Sequence, residues 1–213
     1  MNGLKKTFLP MNRNQSPRLV AMFKKRVFLF FFVFLSAQSA TAQVQVLVAY
    51  HSETGNTERM AEAVAEGARN FEGVVVYLES VEDVDMDLLL SSDAIIVGSP
   101  VYNANVTPQV SEFIASWPFD GDPLRNKVGA AFVTAGGISA REEIVQMNIL
   151  KSMLIFGMVI VGGDDWTQPF GASAVTGEPP FETESPDQIR MEFLQKGKEL
   201  GERVAQTAIR LAE

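Results

Sequence analysis

From residue 43 onward, short apolar runs alternate with longer segments in which apolar residues recur every three or four positions. Gln43–Tyr50 (QVQVLVAY) is β-branched and apolar and ends at a Ser/Thr/Gly cluster, which predicts a strand. Asn56 or Thr57 is then expected to cap a helix whose apolar face is Met60, Val64, Gly67, Ala68 and Phe71. Gly73–Glu79, Asp93–Gly98, Lys127–Thr134 and Met158–Val161 read as four further strands. Between them the spacing predicts a short helical turn at Met86–Ser91, a helix over Pro108–Trp117 with Val110, Phe113, Ile114 and Trp117 on one side, and a long helix over Glu142–Phe156. Ser185-Pro186-Asp187-Gln188 has the form of a capping box, with Ser at the N-cap, Pro at N1 and Gln at N3. Ile189, Phe193, Gly197, Leu200, Val204 and Leu211 follow it at helical spacing.

Five short hydrophobic strands separated by helices argue for a parallel sheet covered on both faces. Right-handed crossovers leave few topologies, and a three-layer, doubly wound α/β sheet is the natural one. The segment shows no internal repeat and no low-complexity tract.

Residues 1–42 follow a different pattern. Met22–Arg26 is basic, Val27–Leu35 is unbroken apolar, and Ala40-Thr41-Ala42 has the small-x-small form of a cleavage site. The pattern predicts a signal peptide cleaved after Ala42, a mature chain of residues 43–213 forming one domain, and a periplasmic or secreted protein. Nine apolar residues are too few to cross a bilayer, which needs roughly 20, so the run reads as part of the signal; no membrane span is expected in the mature chain. The leader carries seven basic residues and no acid, so the remainder holds 11 basic against 26 acidic groups. A body of net charge −15 argues against nucleic acid as a partner. With no cysteine there is no disulfide framework, thiolate metal site or cysteine nucleophile.

Ligands of an open doubly wound sheet bind beyond the carboxyl ends of the strands, so three loops carry the candidate chemistry. The first is His51-Ser52-Glu53-Thr54-Gly55-Asn56-Thr57. It supplies three hydroxyls, an amide, a glycine and a run of N–H groups at a helix N-terminus, the makings of a phosphate cradle. It holds no Lys or Arg, and neither a Walker P-loop nor a G-x-G-x-x-G fingerprint occurs, so a terminal monophosphate held by hydrogen bonds suits it. The same residues would equally make a plain Ser/Thr-rich helix cap. The second loop, Gly98–Asn105, offers Tyr102 for stacking on a flat ring, and the third, Thr134–Ser139, has paired glycines that let main chain approach a ligand closely. Each is ordinary alone; three on consecutive sheet-edge loops are not.

Tyr50–Thr57, Gly98–Tyr102 and Phe132–Gly137 resemble the three flavin-binding loops of flavodoxin-like proteins, and Gly157–Val161 with Phe170–Ser173 resembles the WrbA-type NAD(P)H:quinone oxidoreductase branch. The resemblance spans about Val44 to Leu211. It implies FMN bound non-covalently on a five-stranded parallel sheet of order 2-1-3-4-5. Ser52, Glu53, Thr54, Gly55, Asn56 and Thr57 would then hold the ribityl phosphate. Pro100, Val101, Tyr102 and Asn103 would flank the isoalloxazine, and Thr134, Ala135, Gly136 and Gly137 would line its edge. Two departures stand out: Phe156 occupies the position of the family's usual histidine, with loss of a flavin contact expected, and only 13 residues separate the second and third strands.

Other candidates weigh less. His51 is the single imidazole, so no His-based metal site or Ser-His-Asp triad can form; a solvated side chain is expected for it. Asp83, Asp85 and Asp87 lack the Gly and Glu of a calcium loop and read as a solvated turn, and Asp164 and Asp165 as a loop face. A receiver domain would need acids at the end of the first strand, where Tyr50, His51 and Ser52 stand. The resulting expectation is an exported FMN-dependent oxidoreductase that reduces a quinone-like acceptor, with the chemistry on the flavin and no catalytic side chain. A flavodoxin-type electron carrier docking on a redox partner protein, and a non-redox flavin-binding module, are the rivals. A homo-oligomer is compatible with either of the first two.

Overall fold

The computed structural model describes residues 43–213; the expected signal peptide and its cleavage after Ala42 lie outside the described residues. Strands β1 (Val44–Tyr50), β2 (Val74–Ser80), β3 (Ala94–Pro100), β4 (Val128–Ala135), β5 (Val159–Ile160) and β6 (Ala172–Val175) form one parallel sheet. Helices α1 (Asn56–Ala68), α2 (Met86–Ser91), α3 (Pro108–Ala115), α4 (Glu142–Ile155) and α5 (Met191–Ala212) cover it. The strand order is β2-β1-β3-β4-β5, as the resemblance to flavodoxin-like proteins implies.

The two-residue period of a strand sorts its side chains between the two layers. Val44, Val46 and Val48 of β1 and Ala94 and Ile96 of β3 join Met60, Val64, Leu200 and Val204 under α1 and α5. Leu47, Ala49, Ile95 and Val97 turn the other way, onto Val110 and Ile114 of α3 and Ile149 and Met153 of α4. Burial on both faces is why these strands read as continuous apolar runs.

Three local expectations are corrected. The outermost row is not one strand: β5 pairs with Val128–Gly129 at the start of β4, the chain makes an excursion, and β6 pairs with Phe132–Ala135 at its end. Neither Asn56 nor Thr57 caps α1. Gly55 is the N-cap, at φ +86°, and both side chains turn toward other loops. The capping box at Ser185 forms only a 3₁₀ turn over Pro186–Gln188, and α5 begins at Met191. Tertiary contact overrides the local signal there. Pro186 lies against Gly55, and Ile189, buried and in an extended conformation, interrupts the helix.

Among the described residues no helix is long and apolar enough to cross a membrane.

Candidate functional site

The three loops meet beyond the carboxyl ends of β1, β3 and β4. In the first, the backbone N–H of Gly55 donates to Ser52 Oγ (3.1 Å), and Gly55 takes a left-handed conformation that a residue with a branched Cβ adopts only under strain. A Cβ there would also stand 2.8 Å from Pro186 Cγ. The turn brings the chain into α1 with the first-turn N–H groups, which have no intrahelical acceptor, at its mouth. Ser52, Gly55 and Asn56 are half-buried and Glu53 and Thr54 exposed. Tyr50, just before the loop, donates to Glu58 (3.2 Å); burial, then the Glu58 charge, push its phenol up to about 12.

In the second loop Pro100 ends β3 and Val101 is buried, its N–H donating to the Thr134 carbonyl (2.8 Å). Tyr102 and Asn105 close a tight reverse turn around Asn103 and Ala104, both at positive φ. The Tyr102 ring is 40 % exposed, and its hydroxyl donates to Glu53 Oε2 of the first loop (3.3 Å). Burial, then the Glu53 carboxylate, raise that phenol's pKa.

In the third, Thr134 and Ala135 are still strand and buried, while Gly136 is exposed with open space where a Cβ would sit.

The loops are tied together by side chains. Thr57 Oγ1 and Thr134 Oγ1 are 2.7 Å apart and buried, joining the first and third. Asn56 Nδ2 donates to Thr176 Oγ1 (3.3 Å), and its Oδ1 is buried with no partner. Ser52, Glu53, Thr54, Gly55, Asn56, Tyr102, Asn103, Gly136 and Gly137 thus keep exposed or half-buried surface around this edge. Thr57, Pro100, Val101, Thr134 and Ala135 are buried and shape it from beneath.

Sequence reasoning missed a fourth segment. After β6, Thr176 anchors Asn56, and Glu178 Oε2 accepts the Ile138 N–H (2.8 Å), fixing the third loop. Only the placement of β6 beside β4 reveals these roles. The one available signal was Ala172-Ser-Ala-Val175 after Gly171, too short to stand out.

His51 corrects an expectation: it is 8 % exposed, not solvated, with Nδ1 2.8 Å from Glu82 Oε1. The partner lies 31 residues away and local sequence could not name it. Burial alone would raise the Glu82 carboxyl, but the Ser80 hydroxyl, a backbone N–H and His51 outweigh it and hold it below the usual carboxylate range.

Phe156 brings a second correction. Helix α4 runs back along its strand, so Phe156, its C-cap, sits at the amino end of the sheet, where the Asn126 N–H meets the Gly157 carbonyl (3.0 Å). It stacks on Phe119 (4.3 Å between centroids) and touches Trp117. Within one chain this position is not on the loops.

Asp85 caps α2, accepting from the Leu88 N–H (2.6 Å), and Asp165 accepts from both the N–H and the hydroxyl of Thr167 (2.7 Å each), which holds its carboxyl low. Among the described residues no group of three or more acids and His is arranged to hold a metal.

A family model described as NADPH-dependent FMN reductase matches residues 86–172. A flavodoxin of Aquifex aeolicus is 37 % identical over 151 residues, 66 % of this chain and 78 % of that one. An NAD(P)H dehydrogenase (quinone) of Rhodopseudomonas palustris is 30 % identical over 204 residues, 78 % of this chain and 98 % of that one. The chain belongs to the flavodoxin-like family, on its WrbA-type branch. The fold agrees: a WrbA-like flavodoxin structure from Agrobacterium tumefaciens superposes with a TM-score of 0.64 at 24 % identity, over 78 % of this chain and 98 % of that one.

The residues present fit FMN. A left-handed glycine, hydroxyls and free helix N–H groups suit its phosphate, and the orphaned Asn56 acceptor suits a polyol hydroxyl. An exposed Tyr102 ring beside open backbone at Gly136 suits its flat ring system.

Proposed function

We propose that the protein is an exported FMN-dependent oxidoreductase that passes electrons to a quinone-like acceptor. The observation that supports it best is the joining of three loops of different chemistry at one sheet edge by the Thr57–Thr134, Val101–Thr134 and Tyr102–Glu53 bonds. Bound FMN supplies the electron transfer. The chain's part is to hold it: Ser52–Thr57 on the phosphate, Pro100–Asn103 against the ring, and Thr134–Gly137 along the ring edge. The basic–apolar–Ala-x-Ala pattern of residues 22–42 supports export.

The donor follows from charge and compartment. A domain of net charge −15 whose three loops hold no Lys or Arg repels an anionic dinucleotide, and export removes the chain from the cytoplasmic NAD(P)H pool. In this reading NAD(P)H reduces the protein slowly, and a small molecule or protein outside the cytoplasm is the working donor. Phe156 lies away from the loops and plays no part in that argument. The likeness to the Aquifex flavodoxin favours a second reading, an electron carrier that serves a partner protein and has no substrate of its own.

Titration of the apo-protein with FMN and with riboflavin tests the cofactor. The expected result is one FMN per chain with riboflavin bound far more weakly, and equal affinities would remove the phosphate role of Ser52–Thr57. Steady-state turnover of a soluble quinone separates the enzyme from the carrier. Rapid, saturable anaerobic bleaching of the flavin by NADH or NADPH would overturn the donor assignment.

A further inference from the structure

One buried polar group at this edge is left unexplained by the loops alone. His51 Nε2 is enclosed and has no hydrogen-bond partner, while Nδ1 faces Glu82 at 2.8 Å. With Glu82 ionised, Nδ1 carries the proton and donates to it, so a neutral ring leaves Nε2 as a bare acceptor. Another acceptor, Glu53 Oε1, stands 4.0 Å from it. A proton on Nε2 would turn this pair of acceptors into an imidazolium between the Glu82 and Glu53 carboxylates. The titratable groups paired with the ring among the described residues are Glu82 from the turn after β2 and Glu53 from the first loop, which in turn accepts from the Tyr102 phenol. Among the described residues no Lys or Arg pairs with either carboxylate.

The ring therefore sits in the middle of a relay. Ser80 donates to Glu82, Glu82 holds His51, His51 faces Glu53, and Glu53 accepts from Tyr102. One end is fixed to β2, and the other is the loop offered to the phosphate and the ring offered to the isoalloxazine.

We propose that His51 is a positioning residue for FMN: as an imidazolium held by Glu82 and facing Glu53 it steadies the Ser52–Thr57 loop and offsets the carboxylate charge that would otherwise repel the phosphate. The proposal rests on FMN occupying the three loops. It makes FMN binding and His51 protonation mutually favourable, and such coupling is reciprocal. FMN must draw a proton onto His51, and riboflavin, without the phosphate, must do so much less.

His51 is the chain's single histidine, so its ring protons form a resolved NMR probe in the full chain prepared without a histidine tag. Titrations of the apo, FMN-loaded and riboflavin-loaded protein give three midpoints. FMN is expected to move the midpoint upward by about one pH unit, which corresponds to a tenfold tighter complex with the protonated form, and riboflavin is expected to leave it near the apo value. His51→Gln keeps a hydrogen-bonding group toward Glu82 but no charge. It should lose about tenfold in FMN affinity at pH 6, little at pH 8.5, and nothing for riboflavin. A midpoint that FMN leaves unmoved or lowers overturns the proposal while the FMN assignment stands. Absence of FMN binding by the wild-type chain overturns both. An unfolded His51→Gln variant leaves the decision to the wild-type titration, which needs no variant.

Discussion

The two faces of the sheet are built to different tolerances. Under α1 and α5 the helices approach so closely that a Cβ on Gly67 would lie 2.0 Å from the Lys198 carbonyl oxygen, and one on Gly201 1.9 Å from that of Val64. Lys198–Glu66 (2.6 Å) bridges the same pair of helices, and Asn70, in the turn just after α1, donates to Glu202 of α5 (2.7 Å). On the other face α3 and α4 leave a groove of about 460 Å3 between them. Phe119 and Ile155 at its rim are 58 % and 72 % exposed. Helix α4 buries Val145, Ile149 and Met153, yet also shows Ile144 and Leu154 to solvent. The first loop enters α1, so the part of the site that must hold a small anion rests on the tight face. Precision is concentrated where the ligand needs it, and the opposite face can vary at little cost to the site.

The largest effect should come from breaking the tight face itself. Gly201→Val places a branched side chain where two helix backbones nearly touch, and no side-chain rotation relieves a clash with a carbonyl. A loss of more than about 3 kcal/mol in urea unfolding is expected, beyond the usual range for overpacking, together with loss of FMN binding. Wild-type stability would show that the helices separate freely and that the asymmetry between the faces is unreal.

Gly55→Val should come next, because two independent obstacles add. The residue sits at φ +86°, which costs a non-glycine residue about 1–3 kcal/mol, and its Cβ would press on Pro186. The strain falls on the phosphate loop, so FMN affinity should drop at least as much as stability does. Titration with FMN beside a denaturation curve separates the two, and a folded variant with unchanged affinity would make this loop a plain helix cap.

Thr134→Val is a smaller test of the same side. It keeps the shape of the side chain but leaves the buried Thr57 hydroxyl without its 2.7 Å partner, at a cost of about 1–3 kcal/mol. The first and third loops lose their tie, and FMN should dissociate faster from the variant in a stopped-flow chase.

How much of this the sequence reveals depends on whether a feature is local. Strands β1, β3 and β4 are legible because burial on both faces makes each a continuous apolar run, and α2 is legible to the residue. The three candidate loops are legible because chain order and strand direction alone bring them to one edge. β6 is not. It has four residues, and what seats it is the approach of Gly171 to the Ala131 carbonyl, where a Cβ would lie at 1.9 Å. Thr176 and Glu178 come after it, so their roles were hidden with it. His51 and the capping box at Ser185–Gln188 failed for the same reason: local sequence predicts one behaviour, and a distant partner, Glu82 for His51 and Gly55 against Pro186 for the box, imposes another.

The smallest expected effect is on the open face, and it completes the comparison. Ile155 lies on the last turn of α4 at the rim of the groove and is 72 % exposed, so little of its side chain leaves water on folding. Ile155→Ser therefore removes almost no buried apolar area, opens no cavity and strands no polar group. Those are the mechanisms by which single substitutions become costly, and changes that avoid them stay within about 0.5 kcal/mol. FMN affinity should also be unchanged, because α4 runs from the third loop at its first turn to the amino end of the sheet at its last. If Ile155→Ser instead costs several times that in a dilute monomeric sample, the face is tighter than its exposure implies. If the cost appears only at high protein concentration, the side chain is covered by a second copy, which sedimentation of wild type and variant would read directly.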